Sequence, residues 1–124
     1  MIRLLIVADQ PAMQKGLHMR MAAEADFAVI GEALDCTTAI DLAKLLCPDV
    51  VLIDADMLQS EGFATAKTLQ SDLPQSAVIL LSMHDDTITC ERAVDAGAAA
   101  FIVKSMPGDN LLSTIRQVAA SKKK

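Results

Sequence analysis

Val50-Val51-Leu52-Ile53-Asp54 is a run of four apolar residues, three of them β-branched, that ends on a carboxylate. An unbroken apolar run of this length suits a strand buried on both faces, as in a parallel sheet. Asp54 stands where such a strand leaves the core, and Ala55-Asp56-Met57 follows as a loop. In open α/β sheets the ligand crevice lies outside the carboxyl ends of the strands. A carboxylate at that edge is either a solvated turn residue or a nucleophile or metal ligand, and the rest of the chain decides between them.

Working outward, similar strands are expected at Leu4 to Val7, Phe27 to Ala33, Ala77 to Leu81 and Ala99 to Val103. Helical patterns lie between them. Gln10-Pro11 opens the first, since proline is favoured at the first helical position, and Met13, Leu17 and Met21 give it a buried stripe. Asp35-Cys36-Thr37-Thr38 supplies a cap for the second, whose face is Ala39, Ile40, Ala43, Leu46 and Cys47, and Pro48 ends it. Phe63, Ala66 and Leu69 mark the third. The fourth follows His84-Asp85-Asp86, carries Cys90, Ala93 and Val94, and is closed by Gly97. Pro107 starts the fifth, with Leu111, Leu112, Ile115, Val118 and Ala119 on one face. Strand and helix thus alternate five times. That pattern implies a doubly wound α/β fold of the flavodoxin-like type, a five-stranded parallel sheet of order 2-1-3-4-5 with five helices.

The bulk composition fits one domain. The chain has 124 residues, 52% of them apolar, enough for a single sizeable core. With aromatics at 2% and a formal net charge of -5, stacking on single-stranded nucleic acid and unaided binding to a phosphate backbone are both disfavoured. Cys36, Cys47 and Cys90 match no zinc or redox spacing and read as small buried hydrophobes in a reducing, cytoplasmic setting. No apolar run reaches membrane-spanning length, and Met1-Ile2-Arg3 does not open a signal peptide. Residues 1–121 are read as the domain and 122–124 as a tail or the start of a linker.

Four of the five strands end in a residue capable of chemistry: Asp9, Asp54, Ser82 and Lys104. Each alone has an ordinary explanation, as a helix cap, a turn residue or a surface lysine. In the 2-1-3-4-5 order, however, these four strands are neighbours, so one crevice would hold two carboxylates, a hydroxyl and an ammonium. Carboxylates with a loop carbonyl are hard oxygen donors suited to Mg²⁺. An ionised carboxylate beside that ion can attack a phosphoryl donor and form an acyl phosphate, while metal and ammonium offset the charge on the transferring oxygens.

The stretches Leu5 to Pro11, Pro48 to Asp54, Ala96-Gly97-Ala98-Ala99 and Phe101-Ile102-Val103-Lys104 resemble the receiver domain of bacterial two-component response regulators, of the NarL/FixJ (LuxR) type. Met1-Ile2-Arg3, Val29 to Ala33 and Ala77 to Asp86 agree, so the resemblance covers nearly the whole chain. It implies that Asp54 is the phosphoacceptor, that Asp9 and Asp54 bind Mg²⁺ with the backbone carbonyl of Asp56, and that Ser82 is the switch hydroxyl. Lys104 would pair with the phosphoryl group and Phe101 would rotate as part of the switch. It further implies a sensor histidine kinase as donor and a responsive face, made by the fourth helix, fifth strand and fifth helix, that serves a homodimer or an attached domain. Members commonly continue into a C-terminal DNA-binding domain, which here would lie beyond residue 124. The domain itself would neither bind nucleic acid nor turn over an external substrate.

The chain departs from the family pattern in places. Ala8 stands where an acid is usual, which removes a negative charge beside the metal. Met83 stands where a small residue is usual and would crowd the phosphoryl pocket. Leu58 replaces a proline and Phe101 a frequent tyrosine, while Ser105 and Met106 fall in a variable segment. Ala8 and Met83 motivate an alternative, a phosphorylation-independent interaction module on the same fold. The D-x-D form of Asp54-Ala55-Asp56 motivates a third, an aspartate-nucleophile phosphatase, which would need a larger cap. His18 is expected on an exposed helical face and His84 in a solvated loop at the crevice mouth.

Overall fold

The alternation of apolar runs and amphipathic stretches becomes, in the computed structural model, β1 (Ile2–Val7), α1 (Pro11–Ala22), β2 (Phe27–Ala33), α2 (Cys36–Leu46) and β3 (Val50–Asp54). Then follow α3 (Glu61–Asp72), β4 (Ala77–Ser82), α4 (Thr87–Asp95), β5 (Ala100–Val103) and α5 (Gly108–Lys122). Residues 1–57, 61–84, 86–104 and 108–122 are described. Leu58, Asp85, Ser105, Met106, Pro107 and the tail residues Lys123 and Lys124 lie outside them.

The five strands form one parallel sheet of order β2-β1-β3-β4-β5, as the sequence pattern implies. All five residues of β3 are buried, because both faces of the central strand are covered. Side chains alternate between two cores. Leu5, Val7, Val51, Ile53, Val78 and Leu80 face α2, α3 and α4, where Ala39, Ala43, Ala66, Leu69 and Ala93 meet them. Leu4, Ile6, Val50, Leu52, Ile79 and Leu81 face α1 and α5, against Leu17, Met21, Leu111, Ile115 and Ala119. No helix among the described residues is long and apolar enough to cross a membrane.

Local signals act as read. The Asp35 carboxylate accepts the Thr38 N–H at 2.7 Å and caps α2, and Asp86 does the same for α4 through Thr89 at 2.8 Å. Gly97 has φ +79° and ends α4, with Ala98 N–H returning to the Ala93 carbonyl.

Three core assignments need correction. None of the cysteines is buried: Cys36 and Cys90 are half-exposed, and Cys47 is exposed at the left-handed residue that closes α2. Val94 is 76% exposed, because α4 lays Ala93 and not its neighbour on the sheet. Gln14, polar and so left off the α1 stripe, is 5% exposed. Its Nε2 donates to the carbonyl of Ala33 at 2.8 Å and so bridges α1 to the end of β2.

Candidate functional site

Register places the chemistry-bearing residues side by side. Asp54 pairs with Leu81, so Ser82 lies one residue beyond it on β4; Ser82 pairs with Val103, so Lys104 lies one residue beyond on β5. On the other side Val7 pairs with Ile53, and Asp9 leaves β1 at the same sheet edge. Backbone bonds continue the ladders into the loops: Ala55 N–H to the Leu81 carbonyl and Lys104 N–H to the Ser82 carbonyl, each at 2.7 Å.

The side chains converge on two carboxylates. Lys104 Nζ donates to Asp54 Oδ1 at 2.7 Å and reaches Asp56 Oδ2 at 3.1 Å. The Asp56 N–H donates to the same Asp54 oxygen at 2.9 Å. The Asp54 side chain keeps 7% of its exposure and that of Lys104 16%, so this ion pair is largely withdrawn from solvent. A buried pair of this kind is costly to break, since the partner left behind is an unpaired charge.

The Asp56 side chain takes a part that the sequence reading assigned only to its backbone. Ser82 Oγ–H donates to Asp56 Oδ1 at 2.6 Å, and Met83 N–H to Asp56 Oδ2 at 2.8 Å. Ser82 Oγ in turn accepts the His84 N–H at 3.0 Å. Burial opposes ionisation of Asp56, but the hydrogen bonds from Ser82, Met83 and Lys104 outweigh it and hold the carboxyl below its usual range. Burial likewise opposes the Lys104 charge, and the hydrogen bond and attraction to Asp54, then those to Asp56, outweigh it and raise the ammonium's pKa. Both groups are therefore charged at neutral pH. The only sequence signal for Asp56 was its D-x-D spacing from Asp54.

A glycine sets the loop after β3 against α3. A Cβ built on Gly62 would lie 2.7 Å from the Asp54 carbonyl oxygen and 2.8 Å from Ala55 Cα, both backbone atoms. The start of α3 thus rests directly on the peptide that carries Asp54, an approach open only to a residue without a side chain.

Elsewhere the expectations divide. Met83, expected to crowd the pocket, is 61% exposed, lines a cavity together with Lys104, and also brings its backbone N–H into the site. Ala8 is fully buried where an acid was expected to be missed. Phe101 is half-buried and packs on the α2–α3–α4 side of the sheet. His84 is exposed; His18 is half-exposed and pairs with Glu32. Among the described residues no three His, Cys, Asp or Glu side chains come together to hold a metal ion. Mg²⁺ does not require such a cage, because it keeps several waters and takes one or two carboxylates. Asp9, Asp54 and the Asp56 carbonyl, all oxygen donors at one sheet edge, suit it.

The family model for the response regulator receiver domain matches residues 4–116. The chain belongs to this family. It is 32% identical over 98% of its length to the nitrate/nitrite response regulator protein NarP of Escherichia coli, covering 56% of that protein. It is 33% identical over 98% of its length to the transcriptional regulatory protein LiaR of Bacillus subtilis, covering 57%. The receiver domain of the putative response regulator NarL from Mycobacterium tuberculosis superposes with a TM-score of 0.82 at 29% identity, over 98% of this chain and 96% of that one. The receiver domain thus spans about half the length of the curated relatives it matches.

Proposed function

We propose that this receiver domain accepts a phosphoryl group on Asp54 from a sensor histidine kinase. Asp9, Asp54 and the backbone carbonyl of Asp56 would hold Mg²⁺, which when bound offsets negative charge on the transferring oxygens. A carboxylate nucleophile forms an acyl phosphate without a general base. Both described donors to Asp54 end on Oδ1, which leaves Oδ2 to attack. The Oδ2–P bond forms as the donor's N–P bond breaks, and the electron pair goes to the departing imidazole nitrogen. Lys104 holds Asp54 in place and supplies positive charge to the incoming group. Ser82 then turns its hydroxyl to a phosphoryl oxygen, Phe101 repacks, and the face made by α4, β5 and α5 changes its affinity for a second copy or an attached DNA-binding domain. Turnover of an external substrate forms no part of this function.

The observation that carries this reading is the 2.7 Å contact between Lys104 and a nearly buried Asp54 at the carboxyl edge of the sheet. Met83, one of two grounds for a phosphorylation-independent module, is 61% exposed and donates its backbone N–H to Asp56 beside the proposed acceptor. Incubation with Mg²⁺ and acetyl phosphate, followed by intact-mass measurement, should show one added phosphoryl group in the native chain and none in Asp54→Ala. No adduct with acetyl phosphate or a phosphorylated histidine kinase, or an undiminished adduct in Asp54→Ala, would reject the assignment.

A further inference from the structure

The Asp56 carboxylate draws together donors that a phosphoryl group would need. Ser82 Oγ–H, Met83 N–H and Lys104 Nζ all end on its two oxygens, at 2.6, 2.8 and 3.1 Å. Lys104 spans the two carboxylates, so a group built outward from Asp54 enters the space these donors face. Such a group carries three oxygens that must be hydrogen-bonded once water is excluded. Ser82 is 1% exposed, so its hydroxyl has little access to solvent as a substitute partner. It is also oriented from behind, since its oxygen accepts the His84 N–H and its proton is left for Asp56.

We propose that the Asp56 side chain is a resident stand-in for the phosphoryl group, which holds Ser82, Met83 N–H and Lys104 until the group on Asp54 displaces it. Modification of Asp54 is then an exchange of one anionic acceptor for another. The resting arrangement is satisfied rather than waiting, and Asp56 sets the threshold for leaving it. The inference rests on the phosphoacceptor reading of Asp54 and adds to it a positioning residue whose side chain opposes the switched state.

The test uses the 124-residue chain with Mg²⁺ at saturating concentration and beryllofluoride, a tetrahedral mimic of a carboxylate-bound phosphoryl group. Asp56→Ala keeps the backbone carbonyl offered to the metal and removes the competing carboxylate. Beryllofluoride should bind about tenfold more tightly to Asp56→Ala than to the native chain, the net effect of about one charge-assisted hydrogen bond. Asp56→Asn, which keeps one carbonyl acceptor, should fall between the two. In a Ser82→Ala background the gain from Asp56→Ala should shrink to about threefold or less, since one held donor is gone. Without metal or fluoride, the Met83 amide proton should move upfield in Asp56→Ala while the other β4 amides keep their shifts, which also reports an intact fold.

Equal or weaker binding by Asp56→Ala would overturn the proposal alone. So would an unmoved Met83 amide, or a gain wholly reproduced by Asp56→Asn and undiminished by Ser82→Ala, since charge by itself would then suffice. Absence of binding in both the native chain and Asp56→Ala would overturn the phosphoacceptor reading, and this inference with it. Binding confined to Asp56→Ala would support both.

Discussion

Glycine-to-alanine substitutions at positions 62 and 16 should change stability in opposite directions. Both residues lie in helices, and alanine in a helix interior is favoured over glycine by about 0.5–1 kcal/mol. At Gly16 a new methyl group meets nothing within 4 Å, so only this gain remains. At Gly62 the methyl carbon would sit 2.7 Å from the Asp54 carbonyl oxygen, where ordinary contact begins at 3.4 Å. Helix α3 and the Asp54–Ala55 backbone must therefore part by several tenths of an ångström. All three nearest atoms belong to the backbone, so no side chain can rotate away. Overpacking of this kind costs about 1–3 kcal/mol, which exceeds the helical gain. We expect Gly16→Ala to raise stability by about 0.5–1 kcal/mol and Gly62→Ala to lower it by about 1–2 kcal/mol. For a chain of this size these are thermal shifts of roughly 2–5 °C upward and 3–10 °C downward. Urea unfolding gives the free energies, with unchanged slopes needed for a two-state comparison. Amide shifts should move at Asp54, Ala55 and Asp56 in Gly62→Ala only. If Gly62→Ala proves as stable as Gly16→Ala, α3 does not rest on the Asp54 peptide as described.

Three further outcomes are expected. Ser76 is 1% exposed and its hydroxyl donates to the Pro48 carbonyl at 2.6 Å, so Ser76→Ala should cost about 1–3 kcal/mol in urea unfolding by leaving that carbonyl unpaired. The Asp56 carboxyl is held below its usual 3.8, so its stabilisation is complete above that pH and lost as pH falls through the lower folded value. The Lys104 ammonium is raised above 10.5, so its contribution is complete below 10.5 and lost as pH rises through the higher folded value. A pH series of thermal melts should therefore decline at both ends, and Lys104→Met should flatten the alkaline decline. Lys104→Met should also reduce the acetyl phosphate adduct measured by intact mass, because Asp54 loses the ammonium that neutralises it at 2.7 Å.

The fold was legible because its decisive features are local and repetitive. Val50 to Ile53 is apolar throughout since β3 is covered on both faces, and Asp35, Asp86 and Gly97 mark helix ends through bonds spanning a few residues. The convergence of Asp54, Ser82 and Lys104 was also accessible, since strand order and register alone put consecutive strand ends together. What escaped depends on direction in three dimensions. Sequence spacing does not say that α4 turns Val94 outward, or that Cys47 adopts a left-handed conformation at the end of α2. Nor does it reveal that Gln14 is drawn inward by carbonyls of β1 and β2. The role of the Asp56 carboxylate is hidden in the sequence because its partners arrive from the ends of β4 and β5, 26 to 48 residues later in the chain.

The order β2-β1-β3-β4-β5 also bears on when the chain becomes competent during synthesis. Asp54 is made early and Lys104 only after β5, the outermost strand beside β4, has emerged. A nascent polypeptide halted before residue 100 carries the Asp54 carboxylate without the Lys104 ammonium that pairs with it. On the proposed reading of Asp54 as phosphoacceptor, competence to receive a signal waits until the last strand has docked, so an unfinished molecule on the ribosome would not answer for a finished one.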